Sequence, residues 1–169
     1  MDIFSYKLGK KSSGGGGSND YFISTQVETS SSVTIRDFIK TISSIDVSNR
    51  KNLSNFFAGS QNLESVPLLD TSNATNMSSM FSSCYKLKDV PVFNTLKVNN
   101  MEYMFADCSS LTDESLNNIL EMCTKSAITI SSRKSLSNMG FTSTNYPATK
   151  IQGLSNYQDF ISAGWSIGY

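Results

Sequence analysis

Apolar positions recur through the middle of this chain at a fixed distance of 24 residues. Aligned on that period, the segments beginning at Ile45, Leu69 and Phe93 read IDVSNRKNLSNFFAGSQNLESVPL, LDTSNATNMSSMFSSCYKLKDVPV and FNTLKVNNMEYMFADCSSLTDESL. Leu53, Met77 and Met101 fill one column, and Phe56, Met80 and Met104 fill the next. Phe57, Phe81 and Phe105 stand beside them, and Leu63, Leu87 and Leu111 follow. Asn52, Asn76 and Asn100 run through the apolar columns as an unbroken polar one. A fixed period of this length marks stacked units that cannot bury an apolar face alone and therefore share one core.

Two signals alternate inside each unit. Met77, Met80, Phe81 and Cys84 fall at i, i+3, i+4 and i+7 behind Ser72, Asn73 and Thr75, which predicts a short helix with a polar start. Val90-Pro91-Val92-Phe93 predicts a very short strand, with Pro67 and Pro91 at strand beginnings because they lack the N–H that a ladder needs. The expected fold class is α/β: a short leucine-rich-repeat-like solenoid of three 24-residue strand-helix repeats, with an N-terminal extended arm and a helical C-terminal cap.

The flanks divide the rest. Residues 1–20 read as an extended anchoring arm, MDIFSYKLGKK followed by a tether through Gly14–Gly17, since a glycine run loses much entropy on ordering and has nothing to bury. Residues 21–44 read as an N-terminal cap. Tyr21, Ile23 and Val27 alternate weakly like a strand, and Ile35, Phe38, Ile39 and Ile42 share one helix face. Residues 45–125 hold the solenoid and a capping helix that starts at Thr112, Asp113 and Glu114 and buries Leu116, Ile119, Leu120 and Cys123. Residues 126–169 read as a small α/β closing unit. There SLSNMGF and DFISAGW share a form, a short helical stretch stopped by Gly140 or Gly164 and followed by Phe141 or Trp165, with Trp165 and Tyr169 as core or lid.

Composition narrows the chemistry. Acidic and basic residues balance at 14 each, so no strong field draws the chain to nucleic acid or to an anionic membrane. The absence of histidine removes the commonest general base near neutral pH and the commonest metal ligand. Cys84 and Cys108 share a column and Cys123 follows, a spacing that fits neither a zinc site nor a redox pair. Neighbouring turns stack about 5 Å apart, so distance alone permits a disulfide, while the habits of cysteine favour buried thiols. The acids in register, Asp46, Asp70 and Asn94 in one column and Ser65, Asp89 and Asp113 in another, suit turns and caps better than an acid/base pair. The Met columns, beside Phe at helical spacing, read as core. Tyr85, Lys86, Lys88, Lys97 and Tyr103 fall outward between the core columns and are candidate contact residues. No signal-peptide h-region and no apolar run of membrane-spanning length is present, and the sequons at Asn52, Asn73 and Asn76 are read as chance triplets.

LDTSNATNMSSMFSSCYKLKDVP and FNTLKVNNMEYMFADCSSLTD resemble the BspA-like leucine-rich-repeat surface proteins, including the mycoplasma-lipoprotein-associated repeats, whose pattern is roughly D-T-S-x-V-T-N-M-x-x-M-F-x-x-C-x-x-L. The match covers about residues 45–113; Leu53, Phe56 and Ser60 depart from it in the first copy, and most relatives carry many more copies. The resemblance implies an irregular solenoid used in adhesion or recognition, with no catalytic residues to carry over. The start MDIFSYKLGK before the glycine run and the tail LSNYQDFISAGWSIGY resemble small structural proteins encoded among tail and fibre genes of phages and prophages of gut bacteria.

The expected function is that of a non-catalytic bacteriophage virion structural protein of a tail, baseplate or head fibre or decoration. The arm would bind other virion proteins within a homo- or hetero-oligomeric assembly, and the repeats would meet a host cell-surface glycan or protein. The alternative is a bacterial surface adhesion or protein-protein interaction module of the BspA-like type. Neither reading calls for catalytic, cofactor-binding or metal-binding residues, a cofactor, nucleic acid or membrane insertion. The virion is the expected location, with the bacterial cell surface as the alternative.

Overall fold

The computed structural model describes residues 8–10, 20–23, 40–42 and 44–169. The tether glycines and residues 24–39, with Val27, Ile35, Phe38 and Ile39 of the expected cap, lie outside the described residues. β1 (Leu8–Lys10) pairs antiparallel with β2 (Asp20–Ile23), and β2 runs parallel to β3 (Thr41–Ile42), with Asp20 opposite Thr41 and Tyr21 opposite Ile42. The four described residues of the expected arm, Leu8–Lys10 and Asp20, thus lie in a sheet with this chain's own cap. Ile42, assigned to a helix face by its spacing, is in a strand.

From β3 the ladder continues through single parallel bridges, Thr41 to Ser65 and Ser65 to Asp89, while a second ladder joins Asn52, Asn76 and Asn100. Every step is 24 residues, so the sequence period is the stacking period. The core follows the columns. Leu53, Met77 and Met101 are buried, as are Phe56, Met80 and Met104. The rings of Phe57, Phe81 and Phe105 stack with centroids 5.3 and 5.5 Å apart and planes 11° and 10° from parallel.

The helix expected in each unit does not form: residues 44–112 contain none, and the strand expected at Val90–Phe93 is reduced to a bridge at Asp89. Hydrogen bonding explains the difference. In the second coil the N–H groups of Met77, Ser79, Phe81 and Ser83 donate to Asn100, Glu102, Met104 and Ala106 of the next coil at 2.8–2.9 Å. Those of Met80, Ser82 and Cys84 donate back three residues, to Met77, Ser79 and Phe81. Alternate amides therefore close turns and bind the neighbour, and an α-helix would consume all of them internally. The two turns from Met77 to Met80 and from Phe81 to Cys84 need a left-handed third residue. Ser79 and Ser83 supply it at φ 54° and 61°, as Asn55 and Gly59 do in the first coil and Tyr103 and Asp107 in the third.

The helical period does hold after the repeats. α1 (Asp113–Lys125) begins at Thr112, whose hydroxyl accepts the Ser115 N–H, and it buries Leu116, Ile119, Leu120 and Cys123. α1 stands where a fourth coil would begin. The Ser115 hydroxyl donates to the Lys88 carbonyl and accepts the Val90 N–H, and Asn118 donates to the Val90 carbonyl. Thr95 Oγ1 donates to the Met122 carbonyl at 2.7 Å, as Thr71 does to Asn94 one coil earlier.

Beyond α1, SLSNMGF covers the third coil: Tyr103 and Phe105 donate their N–H groups to Asn138 and Met139. α2 (Ala148–Gln152) and α3 (Tyr157–Ser162) follow, with α3 packed on α1. Gly140 and Gly164 take φ of 91° and 80°. At each, the glycine N–H bonds back three residues and the following aromatic N–H back five, to Leu136 from Phe141 and to Phe160 from Trp165. This is the glycine-stopped, aromatic-locked ending read from the sequence, but a helix precedes it only at Gly164. Before Gly140 the chain makes turns, and the unit expected to be α/β has a single parallel bridge, Ser135 to Ser166, in place of strands. Trp165 is buried against Phe160, whereas Tyr169 is exposed at its ring and donates its hydroxyl to the Tyr146 carbonyl.

Candidate contact surface

Burying one apolar stripe per coil leaves the remaining positions as parallel outward tracks, and each residue singled out by the sequence lies on one of them. Three of the five turn out to be struts. Lys86 Nζ donates to Asn62 Oδ1 at 2.6 Å, Lys97 Nζ to Asn73 Oδ1 at 3.0 Å, and Lys88 pairs with Glu64 at 3.5 Å, each reaching back 24 residues. Lys40 meets Glu64 from the other side at 3.6 Å, giving a Lys-Glu-Lys column; Lys88, then Lys40, hold the Glu64 carboxyl below its ordinary range. These cations are committed to neighbouring coils.

The carboxylates in register are likewise structural. Asp46, Asp70 and Asn94 each accept the backbone N–H two residues on, at 2.9, 3.1 and 3.1 Å, and Asn52, Asn76 and Asn100 do the same at 2.9, 2.9 and 3.0 Å. Asx turns of this kind are what Asp and Asn do beside a chain reversal. Hydrogen bonds from the Ser48 side chain and N–H lower the Asp46 pKa, and those from Ser72 lower that of Asp70. No group of three His, Cys, Asp or Glu side chains among the described residues is placed to hold a metal ion. No helix among them is long and apolar enough to cross a membrane.

The cysteines are free and buried. The thiols of Cys84 and Cys108 donate to the carbonyls of Phe57 and Phe81, both at 3.2 Å, so the shared column bonds each coil to the one before it. Burial pushes the Cys84 thiol up to about 12 and raises those of Cys108 and Cys123 as well. Thiols so protonated are poor nucleophiles.

Tyr85 and Tyr103 remain outward, 43% and 58% exposed. Tyr103 is the left-handed third residue of the Met101–Met104 turn, and Tyr85 directly follows the Phe81–Cys84 turn of the coil before. Tyr103 sits beside Ser79, whose N–H donates to the adjacent Glu102 carbonyl, and Tyr85 lies beside Ser109 and Ser110, whose hydroxyls donate to its carbonyl. Between them Ser83 Oγ reaches Asp107 Oδ2 at 3.4 Å. Behind Tyr103, Arg133 pairs with Glu102 at 3.0 Å.

Sequence reasoning missed the closing contacts. Tyr146 is buried, donates its hydroxyl to the Cys108 carbonyl and accepts the Leu111 N–H at 3.0 Å, and burial raises its pKa to about 12. Asn117 accepts from Ser155 and from the Asn156 N–H, which ties α1 to the start of α3. No period announces such single contacts. The left-handed columns did have a signal, Gly59 standing in the column of Ser83 and Asp107.

These features define a class: a stack of 24-residue coils bonded edge to edge, closed by a helix, with an outward face of turns. Over residues 26–141, more than half of its length, the chain matches the model of the family DUF285, described as a Mycoplasma protein of unknown function. The chain belongs to that family. No curated protein and no solved structure matches it.

Proposed function

We propose that this chain is a non-catalytic presentation module, a short leucine-rich-repeat-like solenoid of the BspA-like kind whose outward face contacts another macromolecule. We place it, by its flanks, among the structural proteins of a phage particle, in a tail, baseplate or head fibre or decoration. The observation that carries the presentation role is how the reactive side chains are spent. Asp46 and Asp70 accept backbone amides, Asp113 pairs with Lys150, Lys86, Lys88 and Lys97 brace neighbouring coils and the thiols are buried. What is left facing solvent on the turn face is a regular surface of hydroxyls and tyrosines.

The setting rests on other residues. The family match begins at residue 26 and ends at 141, and the phage reading rests on parts outside it, the peptide before the glycines and the tail from Leu154. A bacterial surface adhesion or interaction module is the second reading, favoured by the match itself, which spans the repeats and cap without either flank. Deleting residues 1–20 from the chain expressed in the phage or prophage host separates the two. Loss of incorporation into particles by a chain that still folds supports the virion mount, and undiminished incorporation overturns it.

A further inference from the structure

Tyr103 occupies a backbone position that suits tyrosine poorly. Its φ is 56°, in the left-handed region where a bulky side chain is an outlier and where Asn or Gly is at ease. The equivalent residues of the first two coils are Asn55 and Ser79, both small and polar. The ring returns little packing for that strain, being 58% exposed. Strain of this kind persists where the residue does something else, and a strained, exposed aromatic on a rigid turn points to contact with a ligand.

The surroundings indicate which ligand. Next to Tyr103 the Glu102–Arg133 pair is closed on itself, and the columns between Tyr103 and Tyr85 hold Ser79, Ser82, Ser83 and Asp107, hydroxyls with one carboxylate that has no cation paired to it among the described residues. A protein interface has a desolvated apolar centre, and this face has none beyond the two rings. A sugar matches it better: its C–H face stacks on an aromatic ring and its hydroxyls bond to serine and carboxylate oxygens. Asp107 repels an anion approaching that face, and Lys86 at its edge is held by Asn62. We propose that Tyr103 and Tyr85, with Ser83 and Asp107 between them, form a binding surface for a neutral glycan. This deepens the contact role proposed above and rests on it.

The test uses the full chain on an array of immobilised oligosaccharides with neutral hexose and N-acetylhexosamine termini, printed beside sialylated and sulfated ones. Binding to neutral glycans is expected. Tyr103→Asn, which installs the first coil's residue, should weaken it at least tenfold while leaving Tm unchanged or higher, because the strain is relieved. Tyr85→Ser should weaken it by a smaller factor, and Lys97→Ala, on another track, should leave it unchanged. Silence of the unmodified chain, binding confined to acidic glycans, or undiminished binding by Tyr103→Asn overturns the proposal. A lower Tm for Tyr103→Asn also overturns it, since the ring would then be part of the scaffold. Silence on the array with protease-sensitive capture by host cells assigns the face to a protein instead. Glycan binding that persists when the deletion of residues 1–20 leaves incorporation unaffected overturns the mount alone.

Discussion

Residues 77–84 and 116–123 carry the same apolar spacing, i, i+3, i+4 and i+7, and even end on the same residue type, Cys84 and Cys123. One is a pair of turns and the other is α-helix. Both bury the four apolar residues, so burial alone does not separate them. The intervening residues do. Between Met77 and Cys84 stand four serines, which compete for their own backbone and are mediocre helix formers. Between Leu116 and Cys123 two of the four, Asn117 and Asn118, share that handicap, and the helix is favoured by Glu121 and Met122, by the Thr112 cap and by two acids at its positive end. The coil also has an open carbonyl edge on each side, which rewards amides that leave the segment. Periodicity reports which side chains go inside, and the choice of amide partner is a separate decision.

The sharpest way to break the coil side of this comparison is Phe81→Ala. The ring is fully buried between Phe57 and Phe105, and its removal should cost about 3–5 kcal/mol in urea unfolding. A loss below about 1 kcal/mol would show that the ring column is not the core. Next come the two glycine stops. Gly140→Ala sets its Cβ 2.5 Å from the Ala106 Cα at a φ of 91°, whereas at Gly164 the nearest atom is a lysine Nζ 3.9 Å away. Gly164→Ala should cost about 1–2 kcal/mol from backbone conformation alone, and Gly140→Ala clearly more. Equal losses would mean that the closing unit is not pressed onto the third coil.

A single kind of substitution should change sign between the two segments. Ser79→Gly relieves a left-handed residue and should stabilise by about 0.5 kcal/mol after its cost in the unfolded chain, while Glu121→Gly in α1 should destabilise by about 1 kcal/mol. Thermal melts of both decide it, and the same sign at both sites would erase the distinction drawn here. The smallest effect belongs to Glu64→Gln. Because Lys88 and Lys40 depress the Glu64 pKa, its contribution is present above the ordinary value of 4.5 and is lost as pH falls through the depressed one. The variant should therefore lose slightly at neutral pH and show a shallower decline on acidification; these pairs are exposed, and salt should shrink the difference.

What was legible in the sequence was what repeats. The columns, the stacking offset, the helix at Asp113–Lys125 and the two glycine endings could be read because each is a pattern of several residues with one physical cause. The turns were hidden because their apolar spacing coincides with that of a helix, and only Gly59 betrayed a left-handed position. Lys86, Lys88 and Lys97 were read as outward, and they are, but an outward lysine is equally a strut when its partner lies one period back. Tyr146 and Asn117 act once each, across 38 residues or so, and no pattern within the chain records a bond of that kind.

The constant offset makes the molecule a ruler. Each coil takes from the next the same set of turn carbonyls that it offers to the one before, and only the last coil meets different acceptors, in α1 and SLSNMGF. A further copy of the unit spliced between the second and third coils would therefore find donors and acceptors in place on both sides. It would move the two ends about 4.8 Å farther apart while leaving both terminations as they are. Length is thus adjustable by duplication in steps of one coil, and reach can change without redesigning either end.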